Sequence, residues 1–243
     1  MAKTKNKKEM LKQAKALKQA RGRVTKAIKK KIDASFKELA YSIEDTGTTI
    51  KVNFKIFESS MFTTLALTHK QSVKATIEAV DKIYKIRKIE NFVQIEDKIL
   101  ESFNKKYASK TVKRISDNTR EKINKIIMER QSQGINNKQI ARELRENVTG
   151  MTKSRSLTIA RTETAKATGY STNELAKQTL VNKKVWIHSG GGRTDRQEHV
   201  SIDGEEVDID KPFSNGLMYA HDSSATAKDV INCYCITTYK FKI

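Results

Sequence analysis

Four side chains near the carboxyl end of the chain are of the types that bind zinc. Two thiolates and two imidazoles would complete the tetrahedral shell that Zn²⁺ takes in structural sites, and the candidates are His199, His221, Cys233 and Cys235. However, one residue separates the two cysteines, whereas about two to four residues separate them in the usual zinc knuckle. The spacing of the histidines fits no standard zinc finger. Buried, reduced cysteines in a strand, with His199 hydrogen-bonded to the backbone or to a carboxylate, need fewer assumptions. We therefore expect no cofactor and no metal, with zinc as the alternative.

Catalysis is the second chemistry to which these residues point. A hydrolase or a metal-dependent DNA-processing enzyme would pair His199 with Asp203 or Asp195. No nucleophile elbow, second ligand cluster or phosphate-binding glycine loop accompanies them in the sequence. With most of the expected groups missing, the sequence favours a protein that is not an enzyme and has no catalytic residues.

A long helix is the first element that must position these side chains. Thr152 is a suitable N-cap, and apolar residues at helical spacing predict a helix over 153–180. The helix carries small side chains that permit another element to approach closely: Ala160, Ala165, Ala167 and Gly169. Arg161 and Glu163 project to different faces, so we expect each to tie the helix to another segment.

Short strands follow the helix. Lys184–His188 has the composition of a strand, and Asp203-Gly204 supplies the positive φ of a tight hairpin turn. Val230–Phe241 alternates so that both cysteines fall on one face of a last strand. We therefore predict a small antiparallel sheet over 184–243. The spacing of the cysteines does not suit a relaxed disulfide, which favours a reducing cytoplasm during folding.

The basic residues are concentrated in the first part of the chain. Residues 151–243 hold 13 Lys and Arg against 11 Asp and Glu, so residues 1–150 hold 35 against 17. Such an excess suits a phosphate-rich partner, because each cation placed near a phosphate releases condensed counterions. We expect no membrane partner and no secretory signal, since no apolar run is long enough to span a bilayer and no apolar segment follows the basic N-terminus.

Residues 1–31 form a basic arm with a thin apolar stripe. Leu11, Ala14, Leu17 and Ala20 are spaced by threes, which is compatible with a helix lying on nucleic acid or on an acidic protein, and equally with a solvated, partly frayed tail. The cations of this arm are the candidate DNA contacts: Lys3, Lys5, Lys7, Lys8, Lys12, Lys15, Lys18, Arg21, Arg23, Lys26, Lys29, Lys30 and Lys31. If they bind DNA, deleting 1–31 should flatten the salt dependence of binding.

The middle of the chain is predicted to be helical. Residues 32–118 lack proline and are rich in Lys, Glu, Ile and Ala, and only Thr48–Phe57 has the alternation of a strand. Residues 119–148 predict two helices joined at Gly134, with Asn136 or Asn137 as the N-cap of the second. A stand-alone DNA-binding regulator would use such a pair as a helix-turn-helix, but helix pairs with a glycine turn are far commoner than DNA readers.

Together these patterns predict an α+β protein. A basic, mainly helical N-terminal region precedes a compact domain in which a long helix packs on a small antiparallel sheet. The expected divisions are a basic arm over 1–31, a helical region over 32–118 and a C-terminal domain over 119–243.

Six short motifs follow one another through the last part of the chain: Arg161-Thr-Glu163, Trp186, Arg196-x-x-His199, Asp203-Gly204, Pro212-Phe213 and Asn232-Cys233-x-Cys235. In this order they resemble the C-terminal domain of the phage Mu protein F-like minor head proteins, which sit with the portal inside tailed-phage capsids. The resemblance covers about 120–243. The chain departs from the family pattern at Tyr234, where arginine is usual, and at Gly190 to Gly192, where an acid often precedes the arginine cluster.

The resemblance implies a minor head, or head morphogenesis, protein of a tailed bacteriophage or prophage. Such a protein would bind the phage portal protein inside the head, after assembly in the host cytoplasm, and influence DNA packaging or ejection. The positive charge of the N-terminal region further predicts non-specific contact with double-stranded DNA. Scaffold and major capsid proteins are further candidate partners. The six motifs are expected to be structural.

Overall fold

The computed structural model describes residues 2–86, 92–179, 181–190 and 195–240. In chain order the elements are α1 (Ala2–Tyr41), β1 (Ile43–Asp45), β2 (Ile50–Val52), α2 (Phe54–Tyr84), α3 (Phe92–Phe103), a π-helical turn (Asn104–Ala108), α4 (Ser109–Ser132), α5 (Asn137–Gln178), β3 (Lys183–Ile187), α6 (Gln197–Val200), β4 (Glu206–Asp208), α7 (Ala227–Val230) and β5 (Ile236–Tyr239). The predicted α+β class, mainly helical with small antiparallel sheets, is confirmed. Within these ranges no helix has the length and apolar character needed to cross a bilayer.

The chain folds into two compact units, each assembled from separated segments. The first unit contains Met1–Thr25, Thr68–Phe103 and Arg161–Ile243, and the second contains Lys26–Leu67 and Asn104–Ala160. The helices α1, α2 and α5 contribute residues to both. Our divisions at 31 and 118 follow charge and motif content along the chain, whereas these units follow contacts in space.

In the second unit, β1 and β2 form a short hairpin, in which Ile43 pairs with Val52. Gly47 lies in its turn with a φ of +84°, a conformation that favours glycine. The strand predicted over Thr48–Phe57 is right only for Ile50–Val52. It ends there because the side chain of Asn53 accepts a hydrogen bond from the backbone N–H of Ile56 at 3.3 Å, which caps the start of α2.

The predicted helix pair at Gly134 is present in the second unit. Gly134 has a φ of +73° after the end of α4, and Asn136 caps α5 by accepting a hydrogen bond from the N–H of Gln139 at 2.9 Å. An ion pair of 2.8 Å between Arg130 and Glu143 joins the two helices. The turn therefore follows from local capping chemistry, as predicted.

The helix predicted over 153–180 begins earlier than expected. α5 runs without a break from Asn137 to Gln178 and passes through Gly150, while Leu180 lies outside the described residues. Thr152 is not an N-cap, because its hydroxyl donates to the carbonyl of Val148 at 2.6 Å in the helix interior. A single glycine lowers helix propensity by only about 1 kcal/mol, which packing readily overrides.

In the first unit, β3 is the central strand of a three-stranded antiparallel sheet with the order β4-β3-β5. Lys184 pairs with Val207 of β4, and Trp186 pairs with Thr237 of β5. The predicted sheet is thus present, but its last strand is shorter than Val230–Phe241. Residues before Ile236 form α7 and a turn, and Phe241 lies outside the described part of the chain.

The N-terminal half of α1 is packed into the first unit. Ala14, Leu17 and Ala20 are buried, whereas Leu11 is half exposed. The side-chain oxygen of Gln13 accepts a hydrogen bond from the backbone N–H of Tyr239 in β5 at 2.9 Å. The frayed-tail interpretation of the arm is therefore wrong for 13–20, because the apolar side chains there are buried and Gln13 is bonded to β5.

Close packing of α5 in the first unit depends on a glycine. A Cβ at Gly169 would lie 2.4 Å from the carbonyl oxygen of Ala220 and 3.1 Å from the ring of Tyr219. The small residue therefore permits the close approach that the sequence predicted, and it holds the turn leading to His221 against the helix.

Candidate metal centre

Cys233 and Cys235 lie in a tight turn between α7 and β5. Both thiols are free and buried, as predicted. Asn232 has a φ of +55°, and the backbone N–H of Cys235 donates to Sγ of Cys233 at 3.4 Å. The turn, and not the predicted strand alternation, directs both sulfur atoms to the same place.

His199 faces both sulfur atoms. It lies on α6, is 2% exposed, and its Nδ1 is 3.5 Å from Sγ of Cys233 and 3.7 Å from Sγ of Cys235. Its ring stands edge-on to Trp186, with centroids 5.2 Å apart. The expected bond from His199 to backbone or carboxylate is wrong for Nδ1, which meets thiols. Within the described ranges, this is the one group of three or more Cys, His and acidic residues whose ligand atoms lie within 4.8 Å of one another.

His188 reaches the cluster from the end of β3. Its Nδ1 is 3.6 Å from Sγ of Cys235, and its Nε2 is 3.4 Å from a carboxylate oxygen of Asp195. The backbone N–H of His188 donates to Oδ1 of Asp203 at 2.7 Å. Both acids that a hydrolase would have paired with His199 therefore position His188 instead.

His221 lies next to the cluster in an unusual backbone conformation. It is buried, has a φ of +66°, and its Nε2 is 3.0 Å from Nη2 of Arg21. The guanidinium also donates from Nη1 to the carbonyl oxygen of Cys235 at 3.1 Å. Burial and the nearby Arg21 charge lower the pKa of His221, and burial lowers the pKa of Arg21 to about 10.

The two thiols interact strongly with each other. The hydrogen bond from Cys235 lowers the pKa of Cys233, and the neighbouring His221 and His199 lower it further. The same bond, with burial, raises the pKa of Cys235. Cys233 is therefore the thiol of the pair that ionises first.

Arg196 fixes the segment that carries the cysteines. Its Nε donates to the carbonyl of Lys228 at 2.6 Å, and its Nη2 donates to the carbonyl of Ile231 at 2.7 Å. Both carbonyls lie in or directly after α7. The Arg196-x-x-His199 spacing thus places a backbone clamp and a histidine on the same short segment.

The motif residues Trp186 and Phe213 form the core beneath the cluster. Their rings are 5.2 Å apart and close to perpendicular, and both are buried. Lys184 is fully buried beside them and donates to the carbonyls of Ile209 at 3.0 Å and Met218 at 2.7 Å. Burial, followed by the charge of Lys177, lowers the pKa of Lys184 to about 8.

The turn motifs play backbone roles. Gly204 has a φ of +83°, and its N–H donates to the carbonyl of Trp186 at 2.9 Å. The hairpin turn predicted at Asp203-Gly204 is wrong, because these residues end the turn after α6 and lead into β4, which pairs with β3. Pro212 is exposed and precedes the buried Phe213.

The Arg-Thr-Glu motif of α5 divides between two kinds of contact. Arg161 lies 5.9 Å from the ring centroid of Tyr234, so an aromatic ring takes a cation contact at the position where the family usually has arginine. Glu163 forms a buried ion pair of 3.1 Å with Lys166 on the same helix. The expected tie to another segment is thus seen for Arg161.

The predicted DNA contacts fall into different environments. Arg21 faces the cysteine turn, and Lys29 pairs with Asp33 at 2.6 Å. The structure does not describe the side chains of Lys3, Lys5 and Lys7. The remaining candidates are exposed on α1: Lys8, Lys12, Lys15, Lys18, Arg23, Lys26, Lys30 and Lys31.

The assembled site offers two sulfur and several nitrogen donors around one small pocket. The pocket is lined by His188, Asp195, His199, Cys233 and Cys235, among others. Sequence reasoning missed two participants. His188 stood at the end of the predicted strand and could have been found there, but Arg21 had no local signal, because its partners lie about 200 residues away.

Comparison with known proteins supports the motif series. Residues 121–238 match the family described as phage Mu protein F like protein. The matched segment runs from α4 to β5 and contains both cysteines together with His188, His199 and His221. No curated protein and no solved structure matched the chain.

Proposed function

We propose that this chain, whose residues 121–238 match the phage Mu protein F-like family of phage head morphogenesis proteins, is a portal-associated minor head protein. In this proposal it joins the portal during assembly in the host cytoplasm, remains inside the head of the virion, and contacts DNA without reading its sequence. The family match is the observation that carries the role in head morphogenesis.

A row of cations on α1 supports the DNA contact. In the first unit, Lys8, Lys12 and Lys15 are exposed and are spaced by four and three residues, which places them along one face of the helix. The opposite face carries the buried Ala14 and Leu17. Lysines held in a row by a packed helix suit a polyphosphate backbone, which is recognised by charge and not by sequence.

The second unit carries its own exposed cations on the later part of α1. Lys26, Lys30 and Lys31 are exposed, and the spacing between Lys26 and Lys30 places these two on the same helix face. They stand outside the segment matched by the family. In this proposal they add to the non-specific affinity for DNA, which influences packaging or ejection.

The DNA contact is tested by the salt dependence of binding. We compare the full chain with the triple variant Lys8→Gln, Lys12→Gln, Lys15→Gln on duplexes of unrelated sequence. The matched control replaces three exposed lysines of α4, with the variant Lys110→Gln, Lys113→Gln, Lys122→Gln. Because each phosphate contact contributes about 0.9 to the slope of log K against log salt, the α1 variant should lose up to about 2.7. Equal losses in both variants, or strong preference for one sequence, would overturn the proposal.

The portal association is tested in particles. Virions and procapsids treated with nuclease and protease should contain the chain at low copy number by quantitative mass spectrometry, and cross-linking should join it to the portal protein. Absence from both particles would contradict the head role. Presence without portal cross-links, and with cross-links to the major capsid protein, would contradict the proposed position.

A further inference from the structure

We propose that His188, His199, Cys233 and Cys235 bind one Zn²⁺ ion in a closed, structural site of the first unit. The inference rests on the geometry of these side chains and is independent of the portal and DNA contacts proposed above. The proposed set of zinc ligands differs from the candidate set in the sequence analysis, since His188 takes the place of His221.

Three of the distances between nitrogen and sulfur donor atoms have the length expected for the edges of a tetrahedron around zinc. With zinc–sulfur bonds of about 2.3 Å and zinc–nitrogen bonds of about 2.0–2.1 Å, a nitrogen and a sulfur on two corners are about 3.5–3.6 Å apart. His199 Nδ1 lies 3.5 Å from Cys233 Sγ and 3.7 Å from Cys235 Sγ. His188 Nδ1 lies 3.6 Å from Cys235 Sγ. His199, Cys233 and Cys235 thus form the compact group of ligand atoms, and His188 borders this group through Cys235 as the fourth ligand of the proposed site.

Hydrogen bonding alone accounts for fewer of these approaches. His199 Nδ1 has either one proton or one lone pair, so it makes one good bond to one sulfur at a time. Yet it lies at nearly equal distances from both. An ion at the centre explains the equality, because each donor then points at the ion and not at its neighbour.

His188 is held in the form that a zinc ligand needs. The carboxylate of Asp195 lies 3.4 Å from its Nε2 and favours a proton there, which leaves the lone pair on Nδ1 facing the pocket. Asp203 accepts from the backbone N–H of the same residue at 2.7 Å. A carboxylate behind a ligating histidine is the usual second layer of a zinc site, because it fixes the ring and raises its basicity.

His221 is excluded as a ligand by its bond to Arg21. A guanidinium has only donors, so Nε2 of His221 must accept at 3.0 Å and its ring proton must be on Nδ1. A neutral ring in this form has no free lone pair. His221 and Arg21 therefore support the cysteine turn from behind, through the carbonyl of Cys235.

The donor set selects zinc and a structural role. Two thiolates and two imidazoles are the ligands of closed zinc sites, in which no position is left for water or substrate. The ligands come from three separate segments, namely the end of β3, α6 and the turn before β5. An ion joining them would cross-link short elements that bury little apolar surface of their own.

The first experiment measures metal in the full chain purified without a histidine tag from zinc-supplemented cells. We expect one zinc per chain by plasma mass spectrometry, and visible absorption of tetrahedral Co²⁺ with thiolate charge-transfer bands after exchange. Alkylation of the thiols should be slow and should accelerate when a chelator is added. A folded chain without metal, without cobalt bands and with alkylation unaffected by chelator would overturn the proposal.

Variants identify the ligands. Cys233→Ser and Cys235→Ser should lose the zinc, and His199→Gln and His188→Ala should weaken it about tenfold or more in competition with a chelator. The matched control is His221→Gln, since His199 and His221 are both 2% exposed; it should keep one zinc per chain. Loss of zinc in the His221 variant, with normal affinity in the His188 variant, would overturn the assignment. If a cysteine variant fails to fold, the cobalt spectrum of the unsubstituted chain decides whether two thiolates bind.

Discussion

Arg21 in the first helix donates a hydrogen bond to Nε2 of His221 at 3.0 Å, although the two residues are 200 positions apart. The same guanidinium binds the carbonyl of Cys235, and Gln13 of the same helix accepts from Tyr239. The N-terminal helix is therefore part of the unit that contains the cysteine turn. Deleting 1–31 would remove these contacts together with the buried Leu17, so that deletion is not a clean test of DNA binding.

The variants Arg21→Gln and Arg23→Gln should separate the effect of lost hydrogen bonds on stability from the effect of one lost positive charge. Arg21→Gln removes charged hydrogen bonds to a carbonyl and a histidine, which should cost about 1.5–3 kcal/mol in the free energy of unfolding. Arg23→Gln changes the same charge at an exposed position and should stay within about 0.5 kcal/mol of the unsubstituted chain. Urea unfolding of both variants measures the difference. Equal stabilities would contradict a structural role for Arg21.

Gly169 and Gly150 offer a matched pair on one helix. A Cβ at Gly169 would overlap the carbonyl oxygen of Ala220 at 2.4 Å, so Gly169→Ala should destabilise the chain by about 1–3 kcal/mol. A Cβ at Gly150 would meet nothing within 4 Å among the described residues beyond the backbone of its own helix, so Gly150→Ala should stabilise by about 0.5–1 kcal/mol through helix propensity. Thermal or urea unfolding measures whether each variant gains or loses stability. A stabilising Gly169→Ala would show that the turn at Ala220 does not pack against α5.

Local patterns predicted much of the fold but less of the site. The helix pair at Gly134, the long helix and the small antiparallel sheet follow from capping residues and from periodicity, which act over a few positions. The cysteine turn was predicted as strand, because its alternation masks the left-handed backbone of Asn232. Arg21 was assigned to DNA because charge along a sequence does not show where a helix packs. Long-range contacts decide both cases.

Arg196 should control access to the cysteines. Arg196→Lys keeps the charge but cannot bind two carbonyls with one planar group, so we expect a loss of about 1.5–3 kcal/mol and faster alkylation of Cys233 and Cys235. The control is Lys228→Met, which removes an exposed ion pair with Glu198 next to the same segment and should cost at most about 1 kcal/mol. Equal alkylation rates in the two variants would contradict the role of Arg196 in fixing the segment that carries the cysteines.

Lys184 should make stability depend on pH in the alkaline range. Burial lowers its pKa in the folded chain to about 8 from the ordinary 10.5. Between these values the unfolded chain binds a proton that the folded chain lacks, so the contribution of Lys184 to stability rises with pH across this window. Below about pH 8 the ammonium is charged in both states, and the cost of burying it is fully present.

The variant Lys184→Met isolates this effect, because the cysteines and tyrosines titrate in both proteins. Loss of the hydrogen bonds to Ile209 and Met218 destabilises the variant at every pH. The advantage of the unsubstituted chain should then grow from about pH 8 to 10, with a slope of up to about 1.4 kcal/mol per pH unit. Urea unfolding in the presence of reductant at several pH values measures that slope. Parallel curves would mean that the ammonium keeps its ordinary pKa, and that its two carbonyl partners fully offset the cost of burial.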